Sequence, residues 1–167
     1  LTGNLGKAVI KVSAVAEKHH KVSAQALVFN TQMEVKDAFD AGLLDRDVVV
    51  VVRGQGPKAN GMPELHSLNP ILSVIQNLGY KIALITDGRM SGASGSVLTV
   101  VHISPETSQA GVISKIQNSD IIEIDAQKGT MNVKVSNDIL NKRQTFISDS
   151  ENTSGYGREL FKLNRSQ

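Results

Sequence analysis

The sequence predicts an α/β fold: a barrel-like mixed β-sheet with helices packed outside. Three observations carry this reading. Six or more short segments are rich in Val, Ile and other strand formers, against two long segments with helical spacing. The two helices fall between strands, so the sheet is mixed. Late in the chain, residues 120–125 (DIIEID) and 130–135 (TMNVKV) alternate and are joined by 126–129, which reads as a hairpin.

In chain order, residues 1–6 (LTGNLG) are turn-rich and 7–12 (KAVIKV) read as a strand. Residues 13–23 are polar and ambiguous. His19 and His20 stand there between Lys18 and Lys21, where a bound cation would meet like charge, so they read as a solvated face. Residues 25–29 (QALVF) read as the next strand. Asn30 or Thr31 can cap a helix running through Ala41, with Met33, Ala38 and Phe39 apolar and Gly42 ending it. Residues 47–53 hold five consecutive valines, which suit a strand buried on both faces. Residues 54–66 (GQGPKANGMPELH) have three glycines and two prolines, which points to a loop with no regular element. Asn69-Pro70 reads as the start of a helix over 71–78, with Ile71, Leu72, Ile75 and Leu78 on one face. Residues 82–85 form a buried strand, followed by a loop of small residues through Gly95. Residues 97–103 (VLTVVHI) read as a strand, ended by Ser104-Pro105-Glu106. Asn137 can cap a short helix through Leu140. This organisation gives one domain at 1–147 and a polar tail at 148–167, partly helical around 159–162.

With 167 residues the chain can bury about 70% of the surface its unfolded form exposes. Formal net charge is +2, and the basic residues are scattered. No basic block is interleaved with aromatics, which argues against nucleic acid as a partner. No apolar run has the length of a membrane span, and there is no secretory signal. The chain opens on Leu1 and is already structured by Lys7, so a piece of a longer polypeptide is expected. Cysteine is absent, which excludes disulfides, thiolate nucleophiles and Cys-held clusters within this chain and is compatible with the cytoplasm.

Two loops carry chemistry. The loop after residues 82–85 holds Gly88, Ser91, Gly92, Ala93, Ser94 and Gly95, at the carboxyl end of a buried strand where a side chain can be presented to a ligand. It is not a phosphate-binding P-loop, because Gly95 is followed by Ser96-Val97; nor do its glycines fit a dinucleotide fingerprint or a nucleophile elbow. By spacing alone it is either a tight structural turn or a loop presenting Ser91. In the other loop Glu64 follows Met62-Pro63. A carboxylate there can ligate a hard cation such as Mg²⁺, or simply be exposed. His66 and His102 lie near these loops and read as packed or hydrogen-bonded residues rather than general bases.

Three stretches, 60–66 (NGMPELH), 86–95 (TDGRMSGASG) and 102–106 (HISPE), resemble the carboxyl-terminal part of the dihydroxy-acid and 6-phosphogluconate dehydratase family. Residues 2–6 (TGNLG), 8–11 (AVIK) and 120–125 are similar to the family's opening and late hairpin. The resemblance covers nearly the whole chain in the family's order. Glu64-Leu65-His66 and 157–161 (GRELF) resemble its 6-phosphogluconate branch. Two departures stand out: Asn118-Ser119-Asp120 where the family usually has Asp-Gly-Asp, and Ala110-Gly111-Val112 where it usually has Gly-Gly and an apolar residue.

The resemblance implies the swivelling β/β/α fold that the aconitase family also carries. It implies a hydro-lyase that removes the C2 proton of 6-phosphogluconate and expels the C3 hydroxyl, giving 2-dehydro-3-deoxy-6-phosphogluconate in the Entner–Doudoroff pathway. Carried over by position, Ser91 is the base and Glu64 a Mg²⁺ ligand; Asn4, Arg89 and Ser94 are weaker candidates for substrate contacts. The cofactors implied are an iron–sulfur cluster and Mg²⁺, with no cluster ligand in this chain. The partners implied are a sugar-acid phosphate, an amino-terminal region of the same polypeptide and, for the whole enzyme, a second copy in a homodimer. This polypeptide alone is then expected to be inactive. The rival readings are a dehydratase for a branched-chain dihydroxy acid or another sugar acid, and a non-catalytic binding or assembly domain.

Overall fold

The computed structural model describes residues 1–12, 14–91 and 95–147. Ser94, the expected 148–167 tail and its helical part lie outside the described residues, as do Ser13, Gly92 and Ala93.

Eight strands close into a barrel. They are β1 (Thr2–Gly3), β2 (Gly6–Lys11), β3 (Lys21–Phe29), β4 (Val48–Val52), β5 (Ile82–Thr86), β6 (Leu98–Ser104), β7 (Ile121–Asp125) and β8 (Thr130–Val133). The order round the barrel is β1-β2-β6-β5-β4-β3-β7-β8, and a parallel β1–β8 pair completes the ring. The strands β3, β4, β5 and β6 run parallel. The other pairs, β1 with β2, β2 with β6, β3 with β7 and β7 with β8, are antiparallel. The sheet is therefore mixed, as expected, and the late hairpin is β7–β8.

Among the described residues four α-helices accompany the barrel: α1 (Gln32–Asp40), α2 (Pro57–Asn60), α3 (Leu68–Asn77) and α4 (Asn137–Lys142). The valine run explains how barrel and helices share one sheet. Successive side chains of a strand point to opposite faces. Val49 and Val51 join the first apolar cluster with Ala83, Ile85, Val100 and Ile122 from neighbouring strands. Val48, Val50 and Val52 join the second, with Val35 of α1 and Leu68, Leu72 and Ile75 of α3. All five valines are fully buried because both faces are covered.

Several expectations are corrected. The loop at 54–66 contains a helical turn, α2, with Gly56 before it, Pro57 in its first turn and Gly61 in the left-handed region at φ 67°. Proline early and glycine just after is the order a short helix prefers, so the same residues that argued against structure specify it. The next helix starts at Leu68, because the turn before it already bonds Leu68 N–H to the Leu65 carbonyl and Asn69 N–H to that of His66. Pro70 is tolerated there, since first-turn N–H groups lack helical partners. Leu78 is then the C-cap and 62% exposed, and does not belong to the buried face. Met33 is likewise exposed, with Val35 and Ala38 forming the buried side of α1. Thr31 caps α1, its hydroxyl accepting from Glu34 N–H at 3.2 Å. Ser136, one residue before the expected cap, accepts from Ile139 N–H to begin α4. His19 and His20 are half-buried, and the His20 ring bonds the Val15 carbonyl at 2.9 Å, so they are not simply a solvated face.

Both departures from the family pattern fall on left-handed backbone: Ala110 at φ 56° and Ser119 at φ 73°. Glycine adopts this conformation without the Cβ penalty, whereas other residues lose about 1 kcal/mol. Ser119→Gly is expected to raise stability by roughly 0.5–1 kcal/mol, offset in part by glycine's greater freedom when unfolded. Chemical denaturation of the two forms measures it; an unchanged or lowered midpoint would contradict the strain argument.

Candidate active site

The parallel strands β3, β4, β5 and β6 deliver their carboxyl ends to one rim of the barrel. In α/β sheets this is where ligands are bound. The 53–66 connection leaves this rim from β4, and the 87–97 connection leaves it from β5. The turn holding Asn4 lies at the same rim, where Gly6 abuts the end of β6: a Cβ there would lie 2.3 Å from the Ser104 carbonyl oxygen.

The two loops are joined like adjacent strands. Glu64 and Arg89 form a parallel bridge, and Leu65 N–H donates to the Arg89 carbonyl at 3.1 Å. Side chains reinforce the join. Glu64 Oε1 accepts from the Ser91 backbone N–H at 2.6 Å. Arg89 Nη1 donates to Glu64 Oε2 at 2.7 Å, and its Nε donates to the Met62 carbonyl at 2.8 Å. The Glu64 carboxylate thus sits between the backbone of Ser91 and the guanidinium of Arg89. Glu64 is held from the other side too, since Gln32 Nε2 at the start of α1 donates to its carbonyl at 3.2 Å. Ser67 Oγ in turn donates to Gln32 Oε1 at 2.7 Å. With the Glu64 and Arg89 side chains 26% and 50% exposed, the ion pair adds about 1 kcal/mol at most. Its effect is to orient the carboxylate.

Beneath this pair lies a buried layer that sequence reasoning missed. Asp87, directly after β5, is 1% exposed. Its Oδ1 accepts from Gln55 N–H at 2.8 Å and its Oδ2 from Thr107 N–H at 2.9 Å. Thr107 Oγ1 accepts from Gly54 N–H at 3.0 Å. Buried Glu106 accepts from Lys58 N–H at 3.1 Å and Ala59 N–H at 3.2 Å, capping α2. Three connections are therefore tied together by carboxylates and a hydroxyl that bond backbone N–H groups. Gly56 is required here: a Cβ would lie 2.0 Å from Glu106 Oε2. The signal available in the sequence was an acidic residue directly after a buried strand, where an exposed carboxylate has little space.

Of the five expected site residues, Glu64, Arg89 and Ser91 are brought together. Ser94 lies outside the described residues. Asn4 is engaged elsewhere, its Nδ2 donating to the Val133 carbonyl and its Oδ1 accepting from Val133 N–H, both at 2.8 Å. It pairs with β8 as a further strand residue would. His66 and His102, expected to be packed or hydrogen-bonded, are both exposed, so packing does not hold them; His102 stands at φ 57° with its N–H on the Gly88 carbonyl at 2.9 Å.

Among the described residues no three His, Cys, Asp or Glu side chains are grouped to hold a metal ion. Glu64 is a hard oxygen donor of the kind Mg²⁺ takes, an ion that draws one or two carboxylates and keeps waters, and here its oxygens accept from Ser91 N–H and from Arg89. Without cysteine the chain offers no thiolate to an iron–sulfur cluster. No helix among the described residues is long and apolar enough to cross a membrane.

Comparison with known proteins adds an independent finding. Residues 1–167 match the family described as dihydroxy-acid/6-phosphogluconate dehydratase, C-terminal. The chain is 52% identical over 162 residues to a phosphogluconate dehydratase of Rhizobium meliloti, covering 96% of this chain and 27% of that protein. It is 50% identical over 168 residues to a phosphogluconate dehydratase of Escherichia coli K12, covering all of this chain and 28% of that protein. A dihydroxy-acid dehydratase of Helicobacter hepaticus is 40% identical over 149 residues, covering 87% of this chain and 26% of that protein. The chain thus spans little more than a quarter of the length of these relatives.

Proposed function

Because the chain belongs to the dihydroxy-acid/6-phosphogluconate dehydratase family, as its carboxyl-terminal domain, we propose that it serves a phosphogluconate dehydratase of the Entner–Doudoroff pathway in the cytoplasm. The whole enzyme then converts 6-phosphogluconate to 2-dehydro-3-deoxy-6-phosphogluconate and water. This domain supplies the base and one metal ligand, and the remaining region supplies the rest of the site. The observation that carries the reading is the contact between the Glu64 carboxylate and the Ser91 backbone N–H at 2.6 Å. It puts an acid able to hold a hard cation next to the residue whose hydroxyl is to take a proton from carbon. The higher identity to phosphogluconate dehydratases, against 40% for the dihydroxy-acid dehydratase, favours the phosphorylated substrate.

In the proposed elimination, the Ser91 oxygen, as alkoxide, takes the proton from C2. The electron pair of that C–H bond forms the C2–C3 double bond as the C3 hydroxyl leaves as hydroxide; a proton equivalent to the one taken by Ser91 converts it to water and restores the alkoxide, and the enol tautomerises to the 2-keto acid. When bound, Mg²⁺ and an iron–sulfur cluster would supply Lewis acidity at the substrate carboxylate and the leaving hydroxyl respectively. A free serine is a poor base at neutral pH, so its surroundings must favour the alkoxide. Arg89 brings positive charge to this place, its Nη1 orienting the Glu64 carboxylate while its Nε holds the Met62 carbonyl. The N–H groups of Gly92 to Gly95 are further candidates to stabilise the charge. Ser94 and Asn4 remain candidates for substrate contacts in the whole enzyme. The dehydratase is proposed to act as a homodimer, and this domain by itself to be inactive.

Glu64→Gln in the full-length enzyme tests the metal role apart from turnover. The amide still accepts from Ser91 N–H but loses the charge that a hard cation needs. The expected result is weaker Mn²⁺ binding, by roughly tenfold or more, followed by electron paramagnetic resonance with Mn²⁺ as the Mg²⁺ probe. Unchanged Mn²⁺ affinity would remove Glu64 from the metal site.

A further inference from the structure

A polar cavity of about 570 Å³ lies between the end of β3, residues 114–118 and residues 144–147. Its size suits a small ligand. Arg53, directly after β4, forms part of its wall. The guanidinium is held by neutral groups alone. Nε donates to Asn30 Oδ1 at 2.9 Å, and Nη1 donates to the carbonyls of Ser114 and Ile116 at 3.1 and 3.2 Å. Its face lies 4.3 Å from the centre of the Phe146 ring. Nη2 has no hydrogen-bond partner among the described residues.

Half-buried charges are normally paired, because water no longer shields them. Burial lowers the Arg53 pKa, and the field of Glu34 raises it in part. Glu34 forms no ion pair with Arg53, however, and its Oε2 accepts from Asn30 N–H at 2.8 Å. Lys115 lines the same cavity and has no ion pair among the described residues. The nearby Asp120 carboxylate is already taken by Arg143, whose Nη2 donates to Oδ1 at 2.9 Å, and this pairing raises the Arg143 pKa. Among the described residues the lining includes no acid; its other polar side chains include Gln117, Asn118 and Gln144. Among the described residues the cavity therefore combines two basic residues, one with an unbonded guanidinium edge, with amide side chains and no acid.

We propose that this cavity binds a phosphoryl group, with Arg53 Nη2 and Lys115 Nζ as its cationic contacts. A phosphoryl group presents several oxygens to the fixed fork of an arginine and to a mobile ammonium. It arrives either as the distal phosphate of the proposed substrate or as a separate phosphate or phosphate monoester acting as an effector.

The test is calorimetric titration of inorganic phosphate into the full-length dehydratase and into its Lys115→Glu and Lys115→Gln variants. Lys115→Glu reverses the charge of a lining residue and removes no bonding partner of Arg53. It is expected to weaken phosphate binding by roughly tenfold or more, with Lys115→Gln intermediate. Kinetics then separate the sources. If phosphate competes with 6-phosphogluconate, and Lys115→Glu raises KM for it but not for unphosphorylated gluconate, the site holds the substrate's own phosphate. If phosphate acts non-competitively and KM is unchanged, the site is a separate effector pocket. Equal phosphate affinity in both variants and the unaltered enzyme, or no phosphate uptake by the unaltered enzyme at tens of millimolar, would overturn the proposal. Binding needs no turnover, so failure of the dehydratase reading would register separately, as the absence of 6-phosphogluconate consumption.

Discussion

Replacing Ser91 with alanine in the complete enzyme is expected to lower turnover by about three orders of magnitude or more, with a much smaller change in KM. The change removes one oxygen at an exposed position. The two backbone bonds of the loop join, from Ser91 N–H to Glu64 and from Leu65 N–H to the Arg89 carbonyl, remain available to alanine. Folding and the Glu64–Arg89 geometry should therefore survive, and the loss should fall on the proton-transfer step. A second readout isolates that step: exchange of the C2 hydrogen with solvent deuterium, followed by NMR, should slow in parallel with turnover. Near-normal turnover would leave the loop as scaffold and favour a binding or assembly role for this domain. Slow turnover with undiminished C2 exchange would place Ser91 at the later loss of hydroxide instead.

How much of this was legible in the sequence follows from how local each signal is. Val48 to Val52 and Ile82 to Thr86 carry their assignment in their own residues, as β-branched and apolar runs bounded by turn formers. The β7–β8 hairpin does too, with Gly129 at φ 67° in its turn. Strand order is not local. Closure depends on β1, two residues long, pairing on one side with β2 and on the other with β8, more than a hundred positions away. No periodicity can announce that. The site divides in the same way. Glu64 and Ser91 were singled out because each stands in a glycine-bent loop after a buried strand, and that pattern is visible. The bonds from Asp87 to Gln55 and Thr107, across 32 and 20 positions, were not visible. Asp87 directly follows a strand, and nothing in its neighbours in sequence marks it as one of the most buried polar residues described. The bonds of Asn4 were hidden for a related reason. An asparagine in a glycine turn suggests a ligand contact, but its amide continues the hydrogen bonding of β8.

Asp87→Asn should have the larger structural effect, because one carboxylate satisfies two buried donors from two connections. Asparagine has a single acceptor oxygen. Whichever way its amide turns, an NH₂ group then faces either Gln55 N–H or Thr107 N–H, and one backbone donor is left buried without a partner. The loss of a charge-assisted bond adds to this penalty. Destabilisation of roughly 2–3 kcal/mol is expected. Local readouts suit a multidomain enzyme better than a global unfolding curve. Hydrogen–deuterium exchange should therefore accelerate at Gln55 and Thr107 by up to two orders of magnitude. The functional consequence follows from the layering. Gln55 begins the segment that leads through α2 to Glu64, and Asp87 is four positions before Ser91, so loosening this brace lets the two loops shift against each other. Displacements of about 1 Å in a catalytic group can cost about a hundredfold in rate. Turnover of Asp87→Asn should thus fall although Asp87 touches no substrate in the proposed mechanism, and Mn²⁺ affinity at Glu64 should fall with it. Unchanged exchange at both amides would mean that the carboxylate does not brace the loops, and the positioning of Ser91 would then have to be explained by the Glu64–Arg89 join alone.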